Sequence, residues 1–177
     1  MKGNLVENRI IIWDIQDSKR LFCSGYYGKP IGIPKPKPDQ IDVPLVLDLI
    51  EGLYLLETGI IDVHLAHKTI SASAMRDVCK AKYNNFDKKY LVYKTFRDLG
   101  YVVTPGIKFG CDFAVYKSGP GIDHAPYLVH IYGTRDAITT TSLVLAGRLA
   151  TTVRKQFILA IPRGKSVDFM ALDWWKA

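Results

Sequence analysis

Apolar side chains recur along the chain with two periods, about 3.6 and about 2 residues, which predict helices and strands respectively. Residues 45–58 follow the longer period and are followed by Gly59, so we expect one helix there. Residues 86–99 repeat the pattern with aromatic residues along one face, which is typical of a helix packed on a core. Ser71 and Thr139 are favourable N-caps, and a helix is predicted to begin at each.

Short apolar runs bounded by turn residues predict the strands. These runs lie at residues 10–13, 21–22, 101–103, 112–116, 127–132, 157–161 and 167–174. His64 and His67 are expected in a solvated loop, because no third metal ligand is in view. The order of elements predicts an α/β (α+β) protein. We expect a small mixed α/β N-terminal domain at residues 1–83 and, at 84–177, a C-terminal domain with a central mixed sheet flanked by helices.

Residues 28–44 form a segment with five prolines and three lysines. Alternating Pro and Lys disfavour a helix or sheet interior, so an extended surface loop is expected. A loop of this length inside a compact chain is usually functional or disordered. Lys35 and Lys37 are therefore candidates for contacts with a nucleic-acid backbone, and a plain solvated connection is the alternative.

Composition and charge narrow the class of protein. The chain has 177 residues, 48% of them hydrophobic, and a net charge of +7, which fits a folded protein with an anionic partner such as nucleic acid. A merely basic protein is the alternative. Three widely spaced cysteines without a C-x-x-C pair predict a reduced, cytoplasmic protein without disulfides. The N-terminus lacks an export signal and no apolar run approaches membrane-spanning length, so no membrane association is expected.

Three polar residues stand out in the C-terminal half. Tyr116 ends the run KFGCDFAVY, His124 lies in DHAP, and Lys155 ends GRLATTVRK. With no Cys or Asp cluster beside them they do not suggest a metal site, and they suit proton transfer and charge stabilisation on a phosphodiester. Composition alone favours the plainer interpretation, a strand-end tyrosine, a surface histidine and a solvated cation. His130, in an alternating strand, competes with His124 for the role of acid.

These motifs, in this order and at this kind of spacing, resemble those of the archaeal tRNA-splicing endonucleases. The likeness covers the C-terminal half well and the first half more loosely, there through LIEGLYLLETGIIDV. The Pro/Lys segment departs from the family's pattern, in which a Gly-rich turn passes more directly into a helix. It is expected to be a subfamily insertion.

The resemblance implies a tRNA-intron lyase, an RNA endonuclease that cuts precursor tRNA at bulge-containing exon–intron junctions without a metal or other cofactor. It implies that Tyr116 takes the proton of a ribose 2′-hydroxyl and that His124 protonates the leaving 5′-oxygen. Lys155 is then the cation that stabilises the charged phosphorane. The expected products are a 2′,3′-cyclic phosphate and a 5′-hydroxyl.

The resemblance also implies further RNA-binding residues. Arg148 matches a position that packs against an extruded base, and Trp174 or Trp175 is a candidate for the second stacking surface. Core or interface packing is the alternative for both tryptophans. Arg148 and Lys155 are seven residues apart, so a single predicted helix places them on one face.

The assembly is predicted from the loop between the last two strands. In the family, a non-catalysing subunit inserts acidic side chains of this loop into a basic pocket of its catalytic neighbour. Here Pro162–Ser166 contains two cations and no carboxylate, which implies a catalytic subunit paired with a second, structural subunit in an α2β2 heterotetramer. Homodimers of this chain alone are compatible with that prediction. A homotetramer in which Asp168 or Asp173 supplies the acid is the competing arrangement.

Two other functions stay open at this point. The first is a non-catalytic RNA-binding or assembly subunit of the same complex, although this chain has all three candidate catalytic residues. The second is a metal-dependent nuclease centred on Asp112, four residues before Tyr116. The next strand positions are Phe, Ala and Val rather than a second acid, which weakens a two-metal mechanism.

Overall fold

The computed structural model describes residues 1–34, 36–37, 40–122 and 124–172. The chain divides between Phe86 and Asp87 into two compact units. Each unit has a mixed β-sheet with α-helices, so the predicted fold class is confirmed. Within the described part of the chain, every helix is too short or too polar to cross a bilayer.

The first unit is built on a six-stranded sheet with the order β3-β4-β2-β1-β5-β6. Strands β1 and β5 run parallel, whereas the other neighbouring pairs are antiparallel. The strands are β1 (Lys2–Val6), β2 (Arg9–Ile12), β3 (Lys29–Pro30), β4 (Leu45–Leu47), β5 (Asp62–Leu65) and β6 (Lys68–Thr69). His64 therefore lies in β5, opposite Thr69, and not in the predicted loop. The Pro/Lys segment likewise begins with an edge strand, where a proline is tolerated because its missing N–H faces outward.

The helices of the first unit are α1 (Ile15–Gly25), α2 (Leu49–Glu57) and α3 (Ala72–Lys82). The strand predicted at Leu21 and Phe22 is wrong, because both lie in α1. They are buried together with Ser18, a spacing of three and four residues that belongs to one helical face. The helix begins at Asp14, whose carboxylate accepts a hydrogen bond from the Asp17 N–H at 2.8 Å.

The single helix predicted for residues 45–58 is a strand, β4, followed by α2. Asp48 separates them with a capping box, in which its carboxylate accepts from the Ile50 N–H and Glu51 accepts from the Asp48 N–H at 2.9 Å. This cap outweighs the apolar period that runs through it. The cap predicted at Ser71 is confirmed, since its hydroxyl accepts from the Ala74 N–H at 3.2 Å.

The second unit is built on a five-stranded sheet with the order β11-β10-β9-β8-β7. Strands β9 and β10 run parallel and the other pairs are antiparallel. The strands are β7 (Val102–Pro105), β8 (Phe113–Tyr116), β9 (Tyr127–Ile131), β10 (Gln156–Arg163) and β11 (Ser166–Leu172). This topology brings the end of β8 and the beginnings of β9 and β10 to one end of the sheet.

Two helices belong to this part of the chain, α4 (Phe86–Asp98) and α5 (Thr140–Thr152). On one face of the sheet, Phe113 contacts Tyr93 of α4 with ring centroids 5.9 Å apart. On the other face, α5 covers a buried apolar cluster, which we call the α5-side cluster. Its buried members are Cys111, Ala114, Ala125, Leu128, Phe157 and Leu159.

The helix predicted to contain both Arg148 and Lys155 is shorter in the structure than expected. Helix α5 ends at Thr152, and Arg154 adopts a left-handed conformation with φ of 53°. Lys155 therefore lies beyond the helix, at the entrance to β10. The prediction that Arg148 and Lys155 share one helical face is wrong, because a helical turn count does not apply across a left-handed residue.

Candidate active site

Tyr116 is the last residue of β8 and lies opposite Val102 of the edge strand β7. It is half-buried and packs against the α5-side cluster. A loop follows in which Gly119 and Gly121 have positive φ, a conformation that glycine adopts without strain. Strand β8 therefore fixes the position of the Tyr116 ring, and the chain changes direction in the loop that follows.

Lys155 occupies the turn between α5 and β10. Its ammonium donates a hydrogen bond to the Ala125 carbonyl at 2.5 Å and lies 5.5 Å from the centroid of the Phe109 ring. The next residue, Gln156, donates its N–H to the Pro126 carbonyl at 2.8 Å. Two hydrogen bonds thus join this turn to the segment that leads into β9.

His124 lies in that segment, immediately before Ala125, and its side chain is exposed. In the sheet, Val115 pairs with Tyr127, and Tyr127 pairs with Gln156. The strand ends that carry the three predicted residues are therefore neighbours. We call this region the Tyr116 end, defined by Tyr116, His124 and Lys155.

The chemistry available at the Tyr116 end is acid–base catalysis next to a positive charge. A phenol and an imidazole both exchange protons, and an imidazole does so near neutral pH. A lysine ammonium supplies a compact positive charge with three N–H donors. These are the groups that a reaction needs when one oxygen loses a proton, another gains one and negative charge builds up between them.

The opposite end of this sheet holds a second polar cluster, the Asp112 end, defined by Lys89, Asp112 and His130. One Asp112 carboxylate oxygen lies 3.1 Å from the Lys89 ammonium and the other 3.3 Å from His130 Nδ1. The carboxylate also accepts the Ile131 N–H at 2.9 Å. Its side chain is 13% exposed. The length of β8 separates Asp112 from Tyr116 by ~13 Å along the strand.

This arrangement bears on two of the alternatives from the sequence. Asp112 is the acid on which a metal-dependent nuclease would depend, yet both of its oxygens bind cationic or N–H groups of the chain. Within the described residues, no group of three or more His, Cys, Asp or Glu side chains is arranged to hold a metal ion. His130, the competitor of His124, lies at the Asp112 end.

Cys111 adjoins the Asp112 end and has a perturbed acid–base equilibrium. Burial raises the pKa of its thiol to about 11, and the charge of Asp112 adds to the effect. The thiol is therefore protonated at neutral pH. A cysteine nucleophile is not available here, because the thiolate is the reactive form.

The remaining candidates are dispersed. Arg148 is exposed on α5, one turn before the end of the helix. Lys37 is exposed in the first unit, where its carbonyl accepts the Gln40 N–H at 3.0 Å. Lys35, Trp174 and Trp175 lie outside the described residues.

Two features of the site were not predicted from the sequence. One is the contact between Phe109 and Lys155, which no periodicity reveals because it links residues far apart in the chain. The other is the role of Asp112 in binding Lys89 and His130. An acid just before a buried strand was visible in the sequence, but its partners come from a helix and a neighbouring strand.

Both halves of the chain match sequence models of one protein family. Residues 86–169 match the model described as tRNA intron endonuclease, catalytic C-terminal domain. Residues 1–76 match the model described as tRNA intron endonuclease, N-terminal domain.

Relatives named tRNA-splicing endonuclease align with most or nearly all of the chain. A tRNA-splicing endonuclease of Hyperthermus butylicus is 45% identical over 180 residues, and one of Sulfurisphaera tokodaii is 39% identical over 180 residues. Each alignment covers 99% of this chain and 99% of the relative. A tRNA-splicing endonuclease of Pyrobaculum arsenaticum is 41% identical over 164 residues, 90% of each chain.

Proposed function

The chain belongs to the tRNA intron endonuclease family, and we propose that it cuts precursor tRNA at exon–intron junctions by a metal-independent reaction. Membership in this family confirms the resemblance noted in the sequence and the prediction of an RNA endonuclease. One observation carries the proposed mechanism. The topology of the second sheet brings Tyr116, His124 and Lys155 to one end, and Lys155 hydrogen-bonds to the carbonyl of the residue after His124.

In the proposed reaction, Tyr116 accepts the proton of a ribose 2′-hydroxyl, and the 2′-oxygen forms a bond to the adjacent phosphorus. The bond from phosphorus to the 5′-oxygen breaks, and His124 gives that oxygen a proton. Lys155 offsets the negative charge on the non-bridging oxygens between these steps. A phenol has an ordinary pKa of about 10, so it accepts a proton at neutral pH only with a cation nearby, and we assign that role to Lys155. The products are a 2′,3′-cyclic phosphate and a 5′-hydroxyl.

The end groups of the products test this mechanism. The protein is incubated with an intron-containing precursor tRNA, alone and with a candidate partner subunit, in excess chelator and in Mg²⁺. We expect equal cleavage in both buffers, with cyclic-phosphate and 5′-hydroxyl ends. Cleavage that disappears in chelator and returns with Mg²⁺ would support the nuclease centred on Asp112. Tight RNA binding with no cleavage in any mixture would support the non-catalytic subunit.

We further propose that Arg148 packs against a base extruded from the cut junction, with Trp174 or Trp175 as the opposite surface. The exposure of Arg148 near the end of α5 is consistent with this role. A guanidinium stacks on a base through its flat face, which an ammonium lacks. Arg148→Ala and Arg148→Lys should therefore slow cleavage to a similar extent. Full activity of Arg148→Lys would contradict stacking and indicate a simple charge contact.

The Pro/Lys loop is proposed as a second RNA contact, through Lys35 and Lys37. Lys37 is exposed there, as such a contact requires. Replacing both lysines by alanine should weaken RNA binding without unfolding the protein. Each lost phosphate contact lowers the salt dependence of binding by ~0.7–0.9 units of slope, so two should lower it by nearly two units. An unchanged slope would reduce the loop to a spacer.

The assembly proposed is an α2β2 heterotetramer with a structural subunit that carries an acidic loop. Of the two acids that the competing homotetramer would use, Asp173 lies outside the described residues. Asp168 is bound by Arg163 Nε at 2.7 Å across the β10–β11 hairpin. That pair occupies the carboxylate, and it also neutralises one of the two cations of the loop. Mass measurement with an activity assay decides the question. A fully active homotetramer of this chain alone would overturn the heterotetramer. The cytoplasmic location predicted from cysteine usage stays a prediction.

A further inference from the structure

A lysine stabilises a transition state only if its ammonium is held in place before the reaction. The lysine side chain has four flexible carbons, and fixing it costs rotamer entropy. A charge that must reorganise during the reaction loses much of its catalytic effect. Groups that restrain the Lys155 ammonium therefore act on the reaction through it, as positioning residues.

We propose that Phe109 is a positioning residue that holds the Lys155 ammonium at the Tyr116 end. This inference rests on the proposed role of Lys155 in cleavage. The ammonium lies 5.5 Å from the Phe109 ring centroid, within the range of a cation–π contact, while it donates to the Ala125 carbonyl. The ring and the carbonyl are two separate restraints, contributed by segments on either side of β8.

The backbone around Phe109 is closed into a tight turn. Residues Ile107–Phe109 form a single 3₁₀ turn, and the Phe109 N–H donates to the Gly106 carbonyl at 2.8 Å. A Cβ at Gly106 would lie 2.5 Å from the Cys111 sulfur and 2.8 Å from the Cys111 carbonyl oxygen, so only glycine permits this closure. Gly110 then reverses the chain with φ of 66°.

Packing fixes the ring as well as the backbone. Phe109 is half-buried and packs against the α5-side cluster, as does Tyr116. The position of the ring is therefore determined by the same core that anchors the proposed general base. A shift of this ring would move the ammonium relative to Tyr116.

The chemistry of an aromatic ring suits this task. The face of the ring attracts a cation through its quadrupole. The ring is neither a base nor an anion, so it does not cancel the positive charge. A leucine at this position would keep an apolar contact with the cluster and lose the attraction. The aromatic character of Phe109, rather than its bulk, is the property to test.

The test compares Phe109→Leu with Phe109→Tyr in single-turnover cleavage of an intron-containing precursor tRNA. Loss of the ring is expected to slow cleavage ~5- to 30-fold, the range that a desolvated cation–π contact supports. Phe109→Tyr keeps the ring and should stay within ~2-fold of the wild type. The Kd for the RNA should be unchanged in both, because the ring is proposed to act on the reaction step. Tyr132→Leu is the matched control, since Tyr132 packs on the same cluster but contacts His130.

Two further variants separate positioning from folding and from the proposed function itself. Phe109→Met removes the ring and leaves a side chain with about the volume of leucine but a different shape, so it should slow cleavage as Phe109→Leu does even if the two variants differ in Tm. Added to Lys155→Ala, Phe109→Leu should cause no further loss of rate. If Lys155→Ala slows cleavage but Phe109→Leu does not, or if the two losses multiply, this inference is wrong while the proposed function stands. If Lys155→Ala has no effect, both are wrong.

Discussion

The two ends of the second sheet contain similar residues in opposite settings. Each has one histidine and one lysine. At the Tyr116 end, the Lys155 ammonium binds a neutral backbone carbonyl, and His124 is exposed before β9. At the Asp112 end, Lys89 and His130 both contact one carboxylate that is 13% exposed.

The difference shows that the chemical role of a lysine depends on the group that its ammonium contacts, and not on the residue type alone. A carbonyl restrains an ammonium through a hydrogen bond and brings no charge of its own. A carboxylate shielded from water attracts the Lys89 ammonium and compensates its charge. The Tyr116 end therefore suits catalysis, and the Asp112 end suits the joining of α4, β8 and β9.

The largest expected effect comes from the Tyr116 end. His124→Ala, Lys155→Ala and Tyr116→Phe should each slow single-turnover cleavage by roughly two orders of magnitude or more, as expected for removal of an acid, a charge or a base. RNA binding should persist in all three variants. Loss of cleavage in His130→Ala together with intact cleavage in His124→Ala would contradict the assignment of catalysis to the Tyr116 end.

An intermediate effect, on stability rather than on rate, is expected at the Asp112 end. Asp112→Asn removes the charge that binds Lys89 and His130 and should lower the free energy of unfolding by about 1–3 kcal/mol. Urea denaturation measures this change, and the cleavage rate should stay within ~3-fold of the wild type.

Asp98→Asn is the matched control for Asp112→Asn. Asp98 pairs with Lys94 one turn away on α4, and its side chain is 49% exposed. An exposed pair of this kind contributes only about 0.3–0.5 kcal/mol. Equal destabilisation by the two substitutions would mean that the Asp112 end is an ordinary surface cluster.

The effect limited to the narrowest range of conditions is the titration of Cys111, which occurs only at alkaline pH. Its pKa is raised from 9.0 to about 11 in the folded protein, so the folded state holds the thiol proton at pH values where the unfolded state has lost it. The associated stability is fully present below pH 9 and is lost as the pH rises towards 11. In Cys111→Ala, the decline in unfolding free energy across this window should be shallower than in the wild type. An identical decline in the two proteins would contradict the assignment.

The sequence by itself predicted the fold class, which is confirmed, and it proposed three site residues whose catalytic roles stay predictions. Periodicity reports which side of an element faces the core, and this requires only neighbours along the chain. Tyr116 at the end of its strand and Ser71 as a cap followed from such local patterns, and both are found in the structure. The residue types also constrained the chemistry, since Tyr, His and Lys serve proton transfer and charge stabilisation wherever they meet.

The tertiary structure decided everything that depends on which distant segments become neighbours. Local periodicity failed at Leu21 and Phe22, where two apolar residues fit a strand or a helix equally well until the helix packs. It failed again at Lys155, where one left-handed residue ends the count of helical turns. Phe109 meets Lys155 only because strand order folds the β7–β8 turn onto the α5-side cluster. Such contacts arise from the global arrangement of the strands, which no local pattern encodes.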